Sequence, residues 1–310
     1  MSVPHFLSVD DLDAATFGAL LDRAAALKAA RAGPHSRWKA PALAGRSIGM
    51  IFEKPSTRTR ISFEVAIAEL GATPLVLNAS DLQLGRGETI EDTARVLSRY
   101  LHAVVVRTFE EERLARLVAA GTIPVINALS DHEHPCQAVA DLLTIRERFG
   151  DLAGRTLAYV GDGNNVAHSL LLAGALAGMH VRLASPDGYQ ADPGVLARAK
   201  EIAGATGGSV EQGADPAAAA QDADALYTDV WASMGREAEA PQRAAVFAPY
   251  RVDAALLARA RRDAIVLHCL PAHRGEEITD EVIDGPRSVV WDQAENRLHT
   301  QKAILEWALT

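Results

Sequence analysis

The chain has 310 residues, 48% of them hydrophobic and 23% charged, with 31 Lys+Arg against 40 Asp+Glu for a net charge of −9. That length exceeds what one compact core usually holds and predicts two domains of roughly 150 residues. The acidic balance argues against general binding of nucleic acid or an anionic membrane. The opening MSVPHFLSVDDLDAATF has no basic region followed by an apolar core, and no stretch nears the ~18 uninterrupted apolar residues of a membrane span; the expectation is a cytoplasmic protein. Of the two cysteines, Cys136 and Cys269, neither forms a CxxC pair, and the HPC and HC spacings beside His134 and His268 do not suit a closed zinc site. Neither a disulfide framework nor a bound metal is expected.

In chain order, short apolar runs alternate with stretches of helical period, the pattern of parallel sheets covered by helices. In the first half the predicted strands are Ser47–Phe52, Pro74–Asn78, Ala103–Arg107 and Ile123–Asn127, with amphipathic helices over Arg60–Leu70, Thr89–Leu101 and Glu110–Ala120. A helix over Cys136–Phe149 bridges to the second half. There the strands are Thr156–Val160, His180–Ala184, Ala225–Thr228, Ala264–His268 and Ser288–Trp291, and the Ala-rich patch at 216–220 reads as a helix. The fold expected is α/β: two doubly wound domains, residues 1–150 and 151–292. A last helix, about 293–310, packs back on the first. Ligands of such sheets bind beyond the carboxyl ends of strands, so the expected site is the cleft between the domains.

Four strand ends carry chemistry, those followed by the PSTRTR loop, Arg107, Asp229 and Cys269. EKPSTRTR, residues 53–60, follows the first strand; it is the composition of a polar helix cap, and equally of an anion site in which free N–H groups, hydroxyls and the Arg58 fork meet a phosphate. Arg107 closes the third strand. In DHEHPCQAVADLL, residues 131–143, His134 and Gln137 flank a Pro-Cys step that opens a helix. An imidazole there polarises a carbonyl oxygen and a carboxamide accepts from an NH₂ group, although a capped surface helix has the same pattern. HCLPAHRGEEIT, residues 268–279, stops a buried strand at Pro271 and leaves carbonyls to receive amide protons. Cys269 lacks the base and third group of a nucleophile, and a small buried core residue is its bland reading.

DVWASMGRE, residues 229–237, joins the carboxylate of Asp229, able to hold an ammonium, to Ser233 and the N–H of Met234, able to hold a carboxylate; an ordinary acid at a strand end explains it too. GDGNNVAHS, residues 161–169, lacks the third glycine of a dinucleotide fingerprint, since Val166 stands there. Asn165 is the better candidate for contact with a carboxylate.

Taken jointly, STRTR at 56–60, HPCQ at 134–137, DVWASMG at 229–235, HCLPAHRGEEIT at 268–279 and DQAENRLHTQKAIL at 292–305 resemble the aspartate/ornithine carbamoyltransferase family, nearly end to end. The SMG loop and HCLP are marks of its ornithine-using branch. The resemblance implies transfer of a carbamoyl group from carbamoyl phosphate to the δ-amine of L-ornithine, giving L-citrulline and phosphate, in arginine biosynthesis and without a cofactor. It implies that Ser56, Thr57, Arg58 and Thr59 hold carbamoyl phosphate, helped by Arg107, His134, Pro135, Cys136, Gln137 and Arg297. The backbone at Cys269 and Leu270 would take the carbamoyl NH₂. Arg107, His134 and Cys269 are the implied catalytic residues. Ornithine would be gripped by Asn165, Asp229, Ser233 and Met234. Gln83 would approach the phosphate of a neighbouring subunit, since family members are homotrimers with sites near subunit contacts. Arg86 and Gly87 stand where many relatives have His-Lys, which bears on the basic residue that assists across that interface. A relative using putrescine or an N-acylated ornithine, or a non-catalytic amino-acid sensor on the same sheets, is the alternative.

Overall fold

The computed structural model describes residues 3–33, 38–78, 87–232 and 237–310. The chain divides into two compact units, one formed by Met1–Ala140 with Glu295–Thr310 and the other by Asp141–Ala294. The first division falls inside a helix over Pro135–Phe149, and the second inside the last helix, Val290–Leu309.

In unit 1 the described strands are β1 (Ser47–Phe52), β2 (Thr73–Asn78), β3 (Ala103–Arg107) and β4 (Val125–Leu129), all parallel, in the order β2-β1-β3-β4. The helices are α1 (Ala14–Arg31), α2 (Thr57–Glu69), α3 (Ile90–Tyr100), α4 (Glu111–Ala120) and α5 (Pro135–Phe149). β3 reads AVVVR and is buried throughout, as a central strand covered on both faces must be. Ile51, Val104, Val106, Leu114 and Leu117 pack into one cluster, each contributing roughly 1.5–3 kcal/mol of burial. Gly49 in β1 leaves room for Leu101, whose Cδ1 would lie 2.5 Å from a Cβ there and would have to move for any larger residue.

The closing helix carries charge into this core. Its residue Lys302 is fully buried, paired with Glu69 of α2 and 4.8 Å from the centroid of Trp38. Arg31 donates to Glu69 at 2.9 Å, Lys28 to Asn296 at 2.7 Å, and Arg23 grips both oxygens of Glu306 at 2.5 and 2.8 Å.

Unit 2 contains β5 (Thr156–Val160), β6 (His180–Ala184), β7 (Ser209–Gly213), β8 (Ala225–Thr228) and β9 (Ile265–His268), parallel in the order β7-β6-β5-β8-β9. Its helices are α6 (Asn165–Leu176), α7 (Pro193–Thr206), α8 (Pro216–Ala220), α9 (Ala240–Phe247), α10 (Ala254–Leu257) and α11 (Asp280–Ile283). The last helix, begun at Val290, is α12 (Val290–Leu309). Strand order reverses between β1 and β3 in unit 1 and between β5 and β8 in unit 2. These are the positions where strand ends open a crevice for ligand.

Three sequence expectations change. Ser288–Trp291 is not a strand: Ser288 makes one isolated bridge to Val266, and Val290 already begins α12. A short apolar run such as Val289-Val290-Trp291 fits a buried helix start as well as a strand. β7 was not expected, because it is an edge strand whose only buried residue is Val210 and which has no apolar run. β4 starts two residues after the predicted Ile123 and ends at Leu129; Pro124 has no N–H for the ladder, and the register shifts between Val106 and Arg107.

Candidate functional site

At the switch point of unit 1, β1 ends at Phe52 and α2 opens at Thr57. Ser56 is the N-cap, extended at φ −161°, and its Oγ accepts from Thr59 N–H at 3.2 Å. Arg107 pairs in register with Phe52, so the end of β3 sits beside the Ser56–Thr59 loop, and only 6% of the residue is exposed. Arg297, on α12, is 3% exposed and donates from Nη2 to Thr59 Oγ1 at 2.5 Å.

His134 precedes α5, and its carbonyl accepts from the N–H groups of Gln137 (3.0 Å) and Ala138 (3.2 Å). Pro135 takes the first helical position, where no N–H is needed. Burial holds the His134 pKa well below 6.5, and the guanidinium groups of Arg297, Arg107 and Arg58 push it the same way. The imidazole is therefore neutral at physiological pH. A neutral ring inside a cluster of three guanidinium groups is a donor in a strongly positive field, and the complement of that field is a multiply charged anion. Gln137 is buried on the next turn. Cys136 is fully buried and donates from Sγ to the carbonyl of Asn127 at 3.3 Å; burial pushes its thiol up to about 12, so it stays a thiol.

The switch point of unit 2 gathers a different set. The GDGNN turn follows β5, and Gly163 is there because a Cβ would meet the backbone of Ala191 at 2.2 Å, a packing reason unrelated to a dinucleotide. Asn164 caps α6, its Oδ1 accepting from Val166 and Ala167 N–H at 3.0 and 3.2 Å, and Asn165 is the first helical residue. Asp229 follows β8, 6% exposed, and both its oxygens are engaged: Oδ2 accepts from Asn164 Nδ2 at 3.0 Å and Oδ1 from Cys269 Sγ at 2.9 Å. Leu270 is held at φ +60°, a left-handed conformation unusual for a branched residue.

That conformation has identifiable anchors. Leu270 N–H donates to His268 Nδ1 at 2.8 Å, so the ring proton is on Nε2, which donates to Glu277 Oε1 at 3.1 Å. The same carboxylate oxygen accepts from His273 N–H at 2.6 Å. Ligand atoms of Asp229, His268 and Cys269 lie within 4.8 Å of one another, but both His268 nitrogens are already committed, Nδ1 to Leu270 N–H and Nε2 to Glu277, which does not fit a metal centre. Arg243 of α9, 2% exposed, donates from Nη1 to Asp162 Oδ2 (2.7 Å) and to the carbonyl of Trp231 (2.9 Å), tying the GDGNN turn to the segment after Asp229. Ser233, Met234, Gln83 and Arg86 lie outside the described residues.

Two charge patterns, one of converging guanidinium groups and one presenting a carboxylate, thus stand at the two switch points. Residues 4–147 match the family model described as aspartate/ornithine carbamoyltransferase, carbamoyl-P binding domain, and residues 153–308 the one described as Asp/Orn binding domain. The chain belongs to the aspartate/ornithine carbamoyltransferase family. It is 61% identical over 308 residues to an ornithine carbamoyltransferase of Acidothermus cellulolyticus, covering 99% of this chain and 97% of the relative. It is 57% identical over 263 residues to an anabolic ornithine carbamoyltransferase of Pyrococcus furiosus, covering 85% of this chain and 84% of the relative. A solved ornithine carbamoyltransferase structure from Pyrococcus furiosus superposes with a TM-score of 0.95 at 51% identity, covering 100% of this chain and 97% of that one.

Within this carbamoyltransferase fold, unit 1 brings Ser56, Thr59, Arg58, Arg107, His134 and Arg297 together. Unit 2 brings Asp229 and Cys269 together, with Leu270 adjoining. Sequence reasoning missed Asn164, His268 and Glu277. The N-cap rule, applied to the pair Asn164-Asn165, would have marked the first as the cap. Nothing local marks Glu277 as a partner of His268.

Proposed function

We propose that this chain transfers the carbamoyl group of carbamoyl phosphate to the δ-amine of L-ornithine, giving L-citrulline and phosphate, in arginine biosynthesis. The observation that carries the reading is the neutral, buried His134 among the guanidinium groups of Arg58, Arg107 and Arg297, in the unit that matches the carbamoyl-P binding domain.

In the reaction the neutral amine attacks the carbonyl carbon, negative charge builds on the carbonyl oxygen, and the tetrahedral centre collapses with loss of phosphate. Thr59, Arg107 and His134 are the donors for the oxygen; one preorganised donor of this kind is worth roughly 3–4 kcal/mol. Arg58, the Ser56 and Thr57 hydroxyls and the free N–H groups of α2 receive the phosphate, and Arg297 closes the set. A neutral His134 donates without adding a competing full charge. Gln137 and the carbonyls at Cys269 and Leu270 are acceptors for the carbamoyl NH₂. Asp229 holds the α-ammonium of ornithine and Asn165 its carboxylate, with Ser233 and Met234 completing that grip, which leaves the δ-amine to react. Its free pKa is ~10.4, like that of Lys, so activity rises into mildly alkaline pH. The working assembly is a cytoplasmic homotrimer in which Gln83 serves a neighbouring subunit.

The test is purified protein with carbamoyl phosphate and, separately, ornithine, acetylornithine, putrescine or aspartate, scored for ureido product and phosphate. Product with ornithine alone is the expected result. Turnover of another acceptor in its place overturns the assignment, and sizing of the active species by light scattering checks the trimer.

A further inference from the structure

We propose that Asn164 is a positioning residue that orients the Asp229 carboxylate for an α-ammonium group, a role that rests on the ornithine reading above. The argument begins with the amide itself. A free carboxamide turns over at little cost and presents either oxygen or NH₂. Here Oδ1 is pinned by three donors: Val166 N–H at 3.0 Å, Ala167 N–H at 3.2 Å and the Tyr159 hydroxyl at 3.3 Å. Turning the amide over would set its NH₂ against those donors, so the start of α6 fixes Nδ2 as the end that faces Asp229, at 3.0 Å.

The consequence falls on the carboxylate. Asp229 Oδ2 takes the Asn164 bond and Oδ1 takes the Cys269 thiol at 2.9 Å, so the plane of the carboxylate is held from both sides while each oxygen keeps lone-pair capacity. Both holders are neutral. An Arg or Lys in place of Asn164 would fix the same geometry but cancel the charge that an ammonium needs; a carboxamide fixes it and leaves the negative charge intact. Asn164 therefore joins two tasks in one side chain, capping α6 and setting the acceptor for the amino-acid substrate.

Serine separates those tasks, because it caps a helix about as well as asparagine but is too short to reach Asp229. In Asn164→Ser the thermal midpoint should match wild type, while KM for ornithine rises on the order of tenfold, the loss expected for a bond to a charged group. KM for carbamoyl phosphate should stay put. Asn164→Ala removes cap and donor together, so it should show the same rise in ornithine KM and a lowered midpoint. A Ser variant with wild-type ornithine KM, or one whose KM rises equally for both substrates, overturns the proposal. A wild-type protein that makes no citrulline is a different result: it removes the ornithine reading, and this inference with it.

Discussion

Arg297, on the last helix, donates to the hydroxyl of Thr59 on the helix that follows the first strand, joining residues 238 positions apart at 2.5 Å. The bond links the loop proposed to receive phosphate to a guanidinium that also faces His134. Replacing Arg297 by Gln keeps much of the volume and removes the charge. Turnover is expected to fall on the order of 10²–10³, the loss typical of one oxyanion donor, with a smaller change in unfolding midpoint. Steady-state kinetics beside thermal denaturation checks it, and a fall in activity that merely tracks unfolding would count against the role.

Asp229→Asn retains shape and discards charge. With the α-ammonium left unpaired, ornithine binding should weaken by about 2–5 kcal/mol, while carbamoyl phosphate affinity is unchanged. Titration calorimetry with each substrate separates the two; weakened carbamoyl phosphate binding with normal ornithine kinetics would move Asp229 out of the amino-acid site.

The two thiols should differ in reactivity. Cys136 is fully buried with its pKa pushed up to about 12, whereas Cys269 is partly exposed. Alkylation needs both access and the thiolate, so the native protein should spare Cys136 and label Cys269 faster, though slowly while its thiol is held by Asp229, by peptide mass spectrometry. Labelling of both at equal rates would contradict the buried environment of Cys136.

Much of this was legible in the sequence, for physical reasons that can be named. β3 and β5 are apolar runs bounded by polar turns, and their ends, Val160 and Arg107, fall where the pattern put them. The helix start in STRTR was legible because Ser is a favoured N-cap, and Ser56 Oγ accepts from Thr59 N–H at the start of α2. Pairings were not legible. That Glu277 orients His268, that Asn164 bonds to Asp229, and that Arg243 reaches Asp162 are contacts set by tertiary packing across 9, 65 and 81 residues. β7 stayed hidden because an edge strand needs no apolar run.

The buried pair of Lys302 and Glu69 should respond asymmetrically to mutation. Glu69 also accepts from Arg31 at 2.9 Å, so Lys302→Met leaves the carboxylate a cationic partner, and the expected cost is at most ~1 kcal/mol. Glu69→Leu strips the carboxylate from a fully buried ammonium and should cost about 3–5 kcal/mol. Urea denaturation of the two variants tests the ordering, and equal losses would refute it.

His299 is fully buried, with its pKa lowered to about 3 by burial first and then by Lys302, Lys28 and Arg31. In the unfolded chain the imidazole takes up a proton below ~6.5, whereas the folded form resists it down to about 3. The unfolded state binds more protons across that window, so stability falls as pH drops through it. His299→Phe should flatten this dependence between pH 6.5 and 4, measured as the urea midpoint at each pH. A variant whose midpoint follows the wild-type slope would show that His299 does not contribute.

The assignment of residues 295–310 to the same unit as residues 1–140 has a consequence for how the molecule is made. Residues 141–294 are contiguous, so unit 2 can fold as soon as its own chain has cleared the ribosome. Unit 1 cannot finish then. Its four described strands are synthesised early, but Arg297, Lys302 and Glu306 arrive more than 150 residues later, and until they do Thr59 lacks its Arg297 bond and Glu69 has Arg31 but not Lys302. Thr59 therefore gains its guanidinium partner only after the first two turns of α12 have been made.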